Sequence, residues 1–155
     1  MKSIKFLLVL LLSAGFMTGC FEDVDKTYTG PSVVEFGPAP GSSNSYIRVV
    51  NVNSTTATTI PVNVQLVGPH QSTAVDVNFS VAGTATAAMF NISGTSTQIP
   101  AGSSVGTINV NITGAGVASL ATGQSRDIVL TLTGGSLPLN ENYKTYTVRL
   151  TRVEG

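Results

Sequence analysis

The chain has no tryptophan, one cysteine, one histidine and few charged side chains, which make up 10% of its 155 residues. A lone cysteine cannot form an internal disulfide or a cysteine-based zinc site, and a single histidine, His70, cannot supply a cluster of imidazole ligands. Eight basic side chains balance eight acidic ones, and no run of lysine or arginine follows residue 5. Because phosphate-backbone binding needs such a basic footprint, we expect no nucleic-acid partner. With one cysteine and one histidine, we also expect no metal, and we expect no cofactor.

Sequence motifs of catalysis are also missing. His70 lies in a turn-like Gly-Pro-His segment, and no serine stands in a Gly-x-Ser-x-Gly elbow. Asp127 and Glu141 are the nearest pair of carboxylates for glycoside hydrolysis, but nothing in the sequence directs them toward each other. We therefore expect a protein that is not an enzyme, without catalytic residues, and with His70 in a surface loop.

The first 19 residues have the pattern of a secretory targeting segment. Lys2 and Lys5 precede an apolar run from Phe6 to Leu12, which is shorter than the roughly 20 residues of a mature membrane anchor. The segment ends in Met17-Thr18-Gly19-Cys20, which resembles the lipobox of bacterial lipoprotein precursors. The resemblance implies cleavage between Gly19 and Cys20, lipid attachment to Cys20, and association with the membrane through that lipid.

Acidic residues are concentrated behind Cys20. The first 16 residues after it contain four of the eight acids, namely Glu22, Asp23, Asp25 and Glu35. We therefore expect residues 20–31 to form an extended acidic tether. Phe21-Glu22-Asp23 resembles the export signal of surface lipoproteins in Bacteroidota-type bacteria, and a plain solvated leader is the alternative. These resemblances imply a lipid-anchored protein of the outer membrane, either surface-exposed or periplasm-facing.

From residue 32 to residue 155, apolar residues recur at every second position, which is typical of half-buried strands. Five segments show clear alternation: 58–67, 74–82, 107–113, 127–133 and 145–151. Two more, 33–36 and 46–52, are less regular, and the break at Val49-Val50 indicates an edge or bulged strand. The pattern predicts an all-β fold, a single antiparallel immunoglobulin-like β-sandwich of about seven strands. The strand order and the structure of residues 83–96 stay open.

One stretch supports a more specific resemblance. Ile99-Pro100-Ala101-Gly102 is a turn that leads into an alternating strand, followed later by Ile128-Val129-Leu130-Thr131-Leu132. Over residues 58–152 this order resembles the Calx-beta-type sandwich and related small domains of uncharacterised Bacteroidota lipoproteins. Where Calx-beta domains carry the clustered acids that hold calcium, this chain has Gly123-Gln124-Ser125-Arg126. Because a hard cation needs several carboxylate oxygens, this departure argues against calcium binding.

The outward positions of the predicted strands carry asparagine and threonine, including Asn109 and Asn111. Such side chains can bind sugar hydroxyls, although a solvated sheet face is the simpler interpretation. Among the aromatic residues without an evident core role, Tyr143 is our candidate for ligand binding, with a hydrophobic plug between strands as the alternative. The other members of that set are Tyr28, Tyr46 and Phe90.

We therefore predict a non-catalytic, lipid-anchored lipoprotein of the cell envelope. It is a binding or accessory module, in polysaccharide uptake or adhesion, whose partner is a glycan or an envelope protein. The alternative is a structural subunit or spacer that pairs with a partner protein through the edge strand around Val49-Val50.

Overall fold

A computed structural model describes residues 30–154, which form two β-sheets packed face to face. In this part of the chain, nine strands are joined by turns and loops that include one single-turn helix and one 3-10 turn. The elements are β1 (Val33–Phe36), β2 (Ile47–Val52), β3 (Ala57–Val67), β4 (Val75–Gly83), β5 (Phe90–Ile92), β6 (Ser96–Ile99), β7 (Val105–Thr113), α1 (Gly114–Val117), β8 (Ser125–Gly135), the 3-10 turn (Glu141–Tyr143) and β9 (Thr145–Arg152).

The two sheets have different widths. Sheet A contains four strands in the order β1-β3-β7-β5, and sheet B contains five in the order β2-β9-β8-β4-β6. All neighbouring strands are antiparallel except β2 and β9, which run parallel from Ile47 opposite Thr147 to Val52 opposite Arg152. Strands β1 and β5 are the edges of sheet A, and β2 and β6 are the edges of sheet B.

The core lies between the sheets and consists of the inward residues of each alternating strand. Val62, Val64, Val77, Leu130 and Val148 are fully buried, and Phe36 packs against Tyr146 with ring centroids 5.6 Å apart. Burying these side chains stabilises each strand, because removing apolar surface from water contributes about 25 cal/mol per Å². The alternation that predicted the strands therefore identifies the faces that meet in the core.

The structure confirms the predicted all-β sandwich, with nine strands where about seven were expected. The seven predicted strands are present, and the two additional ones, β5 and β6, have only three and four residues. β5 falls within residues 83–96, whose structure the sequence left open. The parallel pairing of β2 with β9 and an isolated parallel bridge between Val34 and Leu139 depart from a wholly antiparallel arrangement.

Strand β3 contains Pro61, which has no N–H to donate to a hydrogen-bonded ladder. β1 pairs with β3 only at residues 64–67, so the stretch around Pro61 has β7 on one side and an open edge on the other. The Pro61 carbonyl accepts a hydrogen bond from Arg48 Nη1 at 3.5 Å on that open side. Because the nitrogen and carbonyl of one strand residue point the same way, the missing N–H leaves no gap in the β3–β7 ladder.

Several predictions lie outside the described residues: the signal segment 1–19, the cleavage and lipidation site at Gly19 and Cys20, the acids Glu22 and Asp23, and all but the last two residues of the tether. They stay predictions. Among residues 30–154, no helix has the length and apolar character required to cross a bilayer.

Candidate functional site

Two tyrosines stack against each other at one corner of the sandwich. Tyr46 lies just before β2, Tyr143 ends the 3-10 turn, and their ring centroids are 5.0 Å apart with an interplanar angle of 19°. Tyr46 packs partly against the core, whereas the Tyr143 side chain remains 40% exposed. The inner ring therefore supports the outer one, which remains partly exposed to solvent.

A buried carboxylate lies beside this pair. Glu35 in β1 is only 6% exposed, and its two oxygens accept hydrogen bonds from Gln65 Nε2 at 2.7 Å and from Asn140 Nδ2 at 2.6 Å. Both donors are neutral amides, so the carboxylate is held by hydrogen bonds and not by an ion pair. The sequence analysis grouped Glu35 with the acids that follow Cys20. Its side chain is nevertheless part of the folded domain.

Asn140 connects this carboxylate to the exposed tyrosine. Its Nδ2 donates to Glu35, its Oδ1 accepts from the Asn142 backbone N–H at 3.2 Å, and its carbonyl accepts from the Tyr143 N–H at 3.1 Å. These bonds cap the 3-10 turn and fix the position of Tyr143 relative to β1. We call Tyr46, Tyr143, Glu35 and Asn140 the tyrosine platform.

The electrostatic surroundings of Tyr46 reflect this packing. Burial, the charge of Glu35 and the neighbouring Tyr143 together raise the pKa of Tyr46 above its usual value, with burial the largest cause. The phenol is therefore neutral at physiological pH, and its O–H can donate a hydrogen bond. The platform thus combines an aromatic face with hydrogen-bonding groups, as sites for small polar ligands do.

A second feature is a cleft of about 350 Å³ at the β5 edge of sheet A, whereas the tyrosine platform lies at the β1 edge. It lies where β5 ends at Ile92, while its neighbour β7 continues alongside the turn that leads to β6. Its walls carry mostly hydroxyl and amide side chains, including Thr59, Asn109 and Asn111, and its apolar lining includes Ile92 and Ile108. We call this feature the asparagine cleft.

A third feature is the free edge of β2, which pairs with β9 on one side and with no other strand of residues 30–154. Ile47 and Val49 on this strand are 47% and 59% exposed. The sequence therefore identified β2 correctly as an edge strand, and its exposed apolar side chains distinguish it from the polar edges that soluble proteins usually present.

The other residues considered in the sequence analysis do not join these features. His70 is exposed, as expected, and its Nε2 lies 2.6 Å from Ser104 Oγ. Asp127 instead receives two hydrogen bonds from the Arg149 guanidinium, each 2.8 Å long, and Glu141 pairs with Lys144. In the part of the chain from 30 to 154, no three histidine, cysteine or acidic side chains come together where a metal ion would fit.

The arginine next to Asp127 changes the ionisation of both groups. The hydrogen bonds and charge of Arg149 hold the pKa of Asp127 below its usual value, and the same contacts raise the pKa of Arg149. Both side chains therefore stay ionised at neutral pH. This pair lies on the outer face of sheet B and crosses from β8 to β9, so it supports the sheet and forms no cleft.

Comparisons with known proteins identify the fold. The chain is similar to the apo form of the Calx CBD1 domain, with 12% identity, a TM-score of 0.57, and 81% of this chain and 100% of that chain covered. It is similar to a "putative carbohydrate binding protein" from Bacteroides ovatus ATCC 8483, with 16% identity, a TM-score of 0.60, and 79% and 37% of the two chains covered. A two-domain protein of unknown function from Bacteroides fragilis NCTC 9343 gives 13% identity, a TM-score of 0.57, and 84% and 47% covered.

The fold is therefore a Calx-beta-like β-sandwich, as the sequence resemblance implied. The chain spans less than half of the length of each of these two Bacteroides proteins. No protein-family model matches the sequence. No curated protein matches it either.

The sequence offered Tyr143 as a candidate but did not indicate the residues that position it. Tyr46 was noted as an aromatic residue without a core role, yet nothing in the sequence pairs it with Tyr143. Glu35 stood among the N-terminal acids, although its position between Val34 and Phe36, two residues that are buried in β1, is a signal of a strand residue. An acid at an outward position of a strand can pair with the neighbouring strand, here with Gln65.

Proposed function

We propose that the protein is a non-catalytic lipoprotein of the cell envelope that is anchored by lipid on Cys20 and binds a glycan at the tyrosine platform. The observation that carries this proposal is the exposed ring of Tyr143, supported from behind by Tyr46 and fixed by Asn140. The ring beneath it and its turn hold this tyrosine in place.

A held aromatic ring suits a sugar for physical reasons. One face of a pyranose is covered by C–H groups, which pack against a flat ring, while its hydroxyls extend sideways toward hydrogen-bonding partners. Around Tyr143 those partners include the neutral phenol of Tyr46 and the amide of Asn140. Preorganisation lowers the entropic cost of binding, because the ring does not need to be ordered by the ligand.

The structural neighbours support a binding role. One is described as a "putative carbohydrate binding protein" and another as a domain of Calx. At this level of identity the likeness extends to the fold alone, so the glycan assignment rests on the platform.

The test compares Tyr143→Ala with a matched exposed residue. Val49 is 59% exposed and lies in β2 of sheet B, so Val49→Ala removes exposed apolar surface outside the platform and away from the outer face of sheet A. We expect Tyr143→Ala to weaken glycan binding about tenfold or more, through loss of the stacking surface, and Val49→Ala to leave it unchanged. Calorimetric titration of the purified chain with neutral oligosaccharides measures both. Equal affinities for the two variants would contradict a role for the platform.

The anchoring part of the proposal has a separate test. Replacing Cys20 by alanine is expected to release the protein from membranes and to remove the acyl mass seen by mass spectrometry. If Cys20→Ala still partitions with membranes and the wild type carries no acyl mass, the anchor is not lipid on Cys20. Protease treatment of intact cells, with a periplasmic control, then distinguishes a surface-exposed domain from a periplasm-facing one.

The exposed edge of β2 supports a second candidate function, a subunit or spacer that pairs with a strand of another chain. The Tyr46 and Val52 carbonyls accept hydrogen bonds from the backbone of the β9 side, so even-numbered residues of β2 face β9 and odd-numbered ones face the open edge. Val49 therefore offers its N–H and C=O to a partner, whereas Val50 is engaged with β9. A proline at Val50 would damage the domain itself, so Val49 is the correct position for the test.

Val49→Pro removes the amide donor at the open edge, and Val49→Ala shortens the same side chain but retains the donor. Pairing by strand addition predicts oligomers, or a partner in fixed stoichiometry, that are lost in the proline variant and retained in the alanine variant. Sedimentation of the detergent-solubilised protein measures this. A monomer in the wild type, without a stoichiometric partner, would contradict the structural function.

A further inference from the structure

We propose that the asparagine cleft is a second glycan subsite, and that one neutral linear glycan lies across the outer face of sheet A from the tyrosine platform to this cleft. The inference rests on the proposed function and extends it, because it assigns the class of ligand, its path and a second set of contacts.

The cleft exists because sheet A is incomplete at this edge. β5 pairs with β7 only at residues 110–112, and the chain then crosses to β6 in sheet B. In β7, the Thr107 carbonyl accepts a hydrogen bond from Thr97 Oγ1 at 2.9 Å, on the side away from β3. Because strand residues alternate in direction, the backbone N–H and C=O of Asn109 point to the same side as those of Thr107. The cleft therefore combines backbone and side-chain hydrogen-bonding groups.

The amide side chains of the cleft have unused hydrogen-bonding capacity. Thr59 Oγ1 donates to Asn111 Oδ1 at 2.7 Å, which fixes the orientation of that amide and leaves its NH₂ group without a partner in the described residues. Asn109 makes no side-chain hydrogen bond within residues 30–154. Ile92 and Ile108 supply apolar surface in the same cleft. Amides beside an apolar wall suit a ligand with hydroxyls and C–H faces, as a sugar ring has.

The outer face of sheet A connects the cleft to the platform. Glu35 is opposite Gln65, and the rows that follow along β3 and β7 pair Asn63 with Thr107 and Thr59 with Asn111. From Glu35 to Asn111 the path crosses two strand spacings and six residues, about 10 Å sideways and about 20 Å along the strands. One sugar ring cannot bridge this distance, whereas a chain of several rings can.

The charge of this face selects the kind of glycan. In the described strands of sheet A, Glu35 is the one ionisable side chain at an outward position, and it is buried under Asn140. Arg48 reaches the face only at the Pro61 carbonyl. Recognition of a uronic acid or a sulfated sugar would require cationic groups along the path. The polar face is therefore matched to a neutral chain.

The experiment uses the purified full chain in detergent and three series of probes, the xylo-, malto- and manno-oligosaccharides, each from disaccharide to hexasaccharide. The variants are Tyr143→Ala, the double variant Asn109→Ala with Asn111→Ala, and Asn78→Ala as a control. Asn78 is an exposed asparagine in β4 on the outer face of sheet B, so it matches the residue type of both asparagines and the exposure of Asn109 without lying on the path. Circular dichroism checks that each variant is folded.

We expect the affinity of the wild type to rise from disaccharide to hexasaccharide in at least one series. The double variant should bind that hexasaccharide about tenfold or more weakly, because it loses two amide contacts, and should bind the disaccharide as the wild type does. Asn78→Ala should change neither.

Three results would overturn the inference in distinguishable ways. If the double variant binds the hexasaccharide like the wild type while Tyr143→Ala does not, the cleft is no subsite and the proposed function stands. If the double variant loses all binding while Tyr143→Ala is unaffected, the ligand does not reach the platform. If the wild type binds none of the probes, both the cleft inference and the proposed function fail.

Discussion

Removal of the buried carboxylate of Glu35 tests the architecture of the platform most directly. In Glu35→Ala, Gln65 and Asn140 lose the acceptor that they share. A hydrogen bond to a charged group contributes about 1.5–3 kcal/mol, and a buried donor without a partner is costly. Gln65 and Asn140 are partly exposed, so water satisfies part of their demand. We therefore expect a loss of about 2–3 kcal/mol in the free energy of unfolding.

Glu35→Gln separates the charge from the shape of this side chain. A glutamine retains one acceptor oxygen but presents an NH₂ group to one of the two amide donors. Gln65 can rotate its amide to present oxygen, because its side chain has no other hydrogen bond in the described residues. Asn140 cannot do so without losing the contact from the Asn142 N–H. The expected loss is therefore smaller, about 1 kcal/mol.

Urea unfolding followed by far-ultraviolet circular dichroism measures both variants, since the chain has no tryptophan for fluorescence. A double-mutant cycle with Asn140→Ala isolates the coupling between the carboxylate and the 3-10 turn. Near-ultraviolet dichroism reports whether the tyrosine stack persists. The reasoning is refuted if Glu35→Ala unfolds within about 0.5 kcal/mol of the wild type, or if the glutamine variant is as unstable as the alanine variant.

Three further predictions concern stability. Gly83→Ala should lower the free energy of unfolding by more than about 2 kcal/mol, because φ is +120° and the new Cβ would lie 2.1 Å from the Asp127 carbonyl oxygen. The control Gly123→Ala, with φ of +82° and open space around the new Cβ, should lower it by only about 1 kcal/mol in urea titration. Because Arg149 lowers the pKa of Asp127, the pair's contribution is present above the unfolded pKa of about 3.9. That contribution should disappear as the pH falls through the lower pKa of the folded state. On acid titration, the free energy of unfolding of Asp127→Asn should therefore fall less steeply with pH than that of the wild type. Leu130→Ala, at a fully buried position, should lose about 2–5 kcal/mol in the same unfolding assay, and a loss below about 1 kcal/mol would contradict its place in the core.

Sequence reasoning predicted those parts of the fold for which the alternation of apolar and polar residues along a strand was sufficient. In β3, Ile60, Val62 and Val64 alternate with polar residues and are buried, because burial on one face of a strand requires a period of two. β5 and β6 are too short to show a period. The parallel pairing of β2 with β9 was not predictable, because alternation shows which face is buried and not which strand lies alongside.

The candidate site depended on contacts between distant parts of the chain, so the sequence revealed only pieces of it. Tyr143 was recognisable from its loop, and Asn111 from its strand. The stack of Tyr143 on Tyr46 and the hydrogen bonds to Glu35 require β1, the start of β2 and the 3-10 turn to meet at one corner. That meeting follows from the order of the strands in the two sheets, which the sequence left open.

The parallel pairing of β2 and β9 has a mechanical consequence for this pair of strands. Tension applied to the chain before β2 and after β9 pulls the two strands along their length in opposite directions. The hydrogen bonds between Ile47–Val52 and the facing residues of β9 are then all loaded in shear at the same time. Antiparallel neighbours that are pulled from one end instead separate bond by bond. The strand that leaves an edge open to partners thus also resists shear along its pairing with β9.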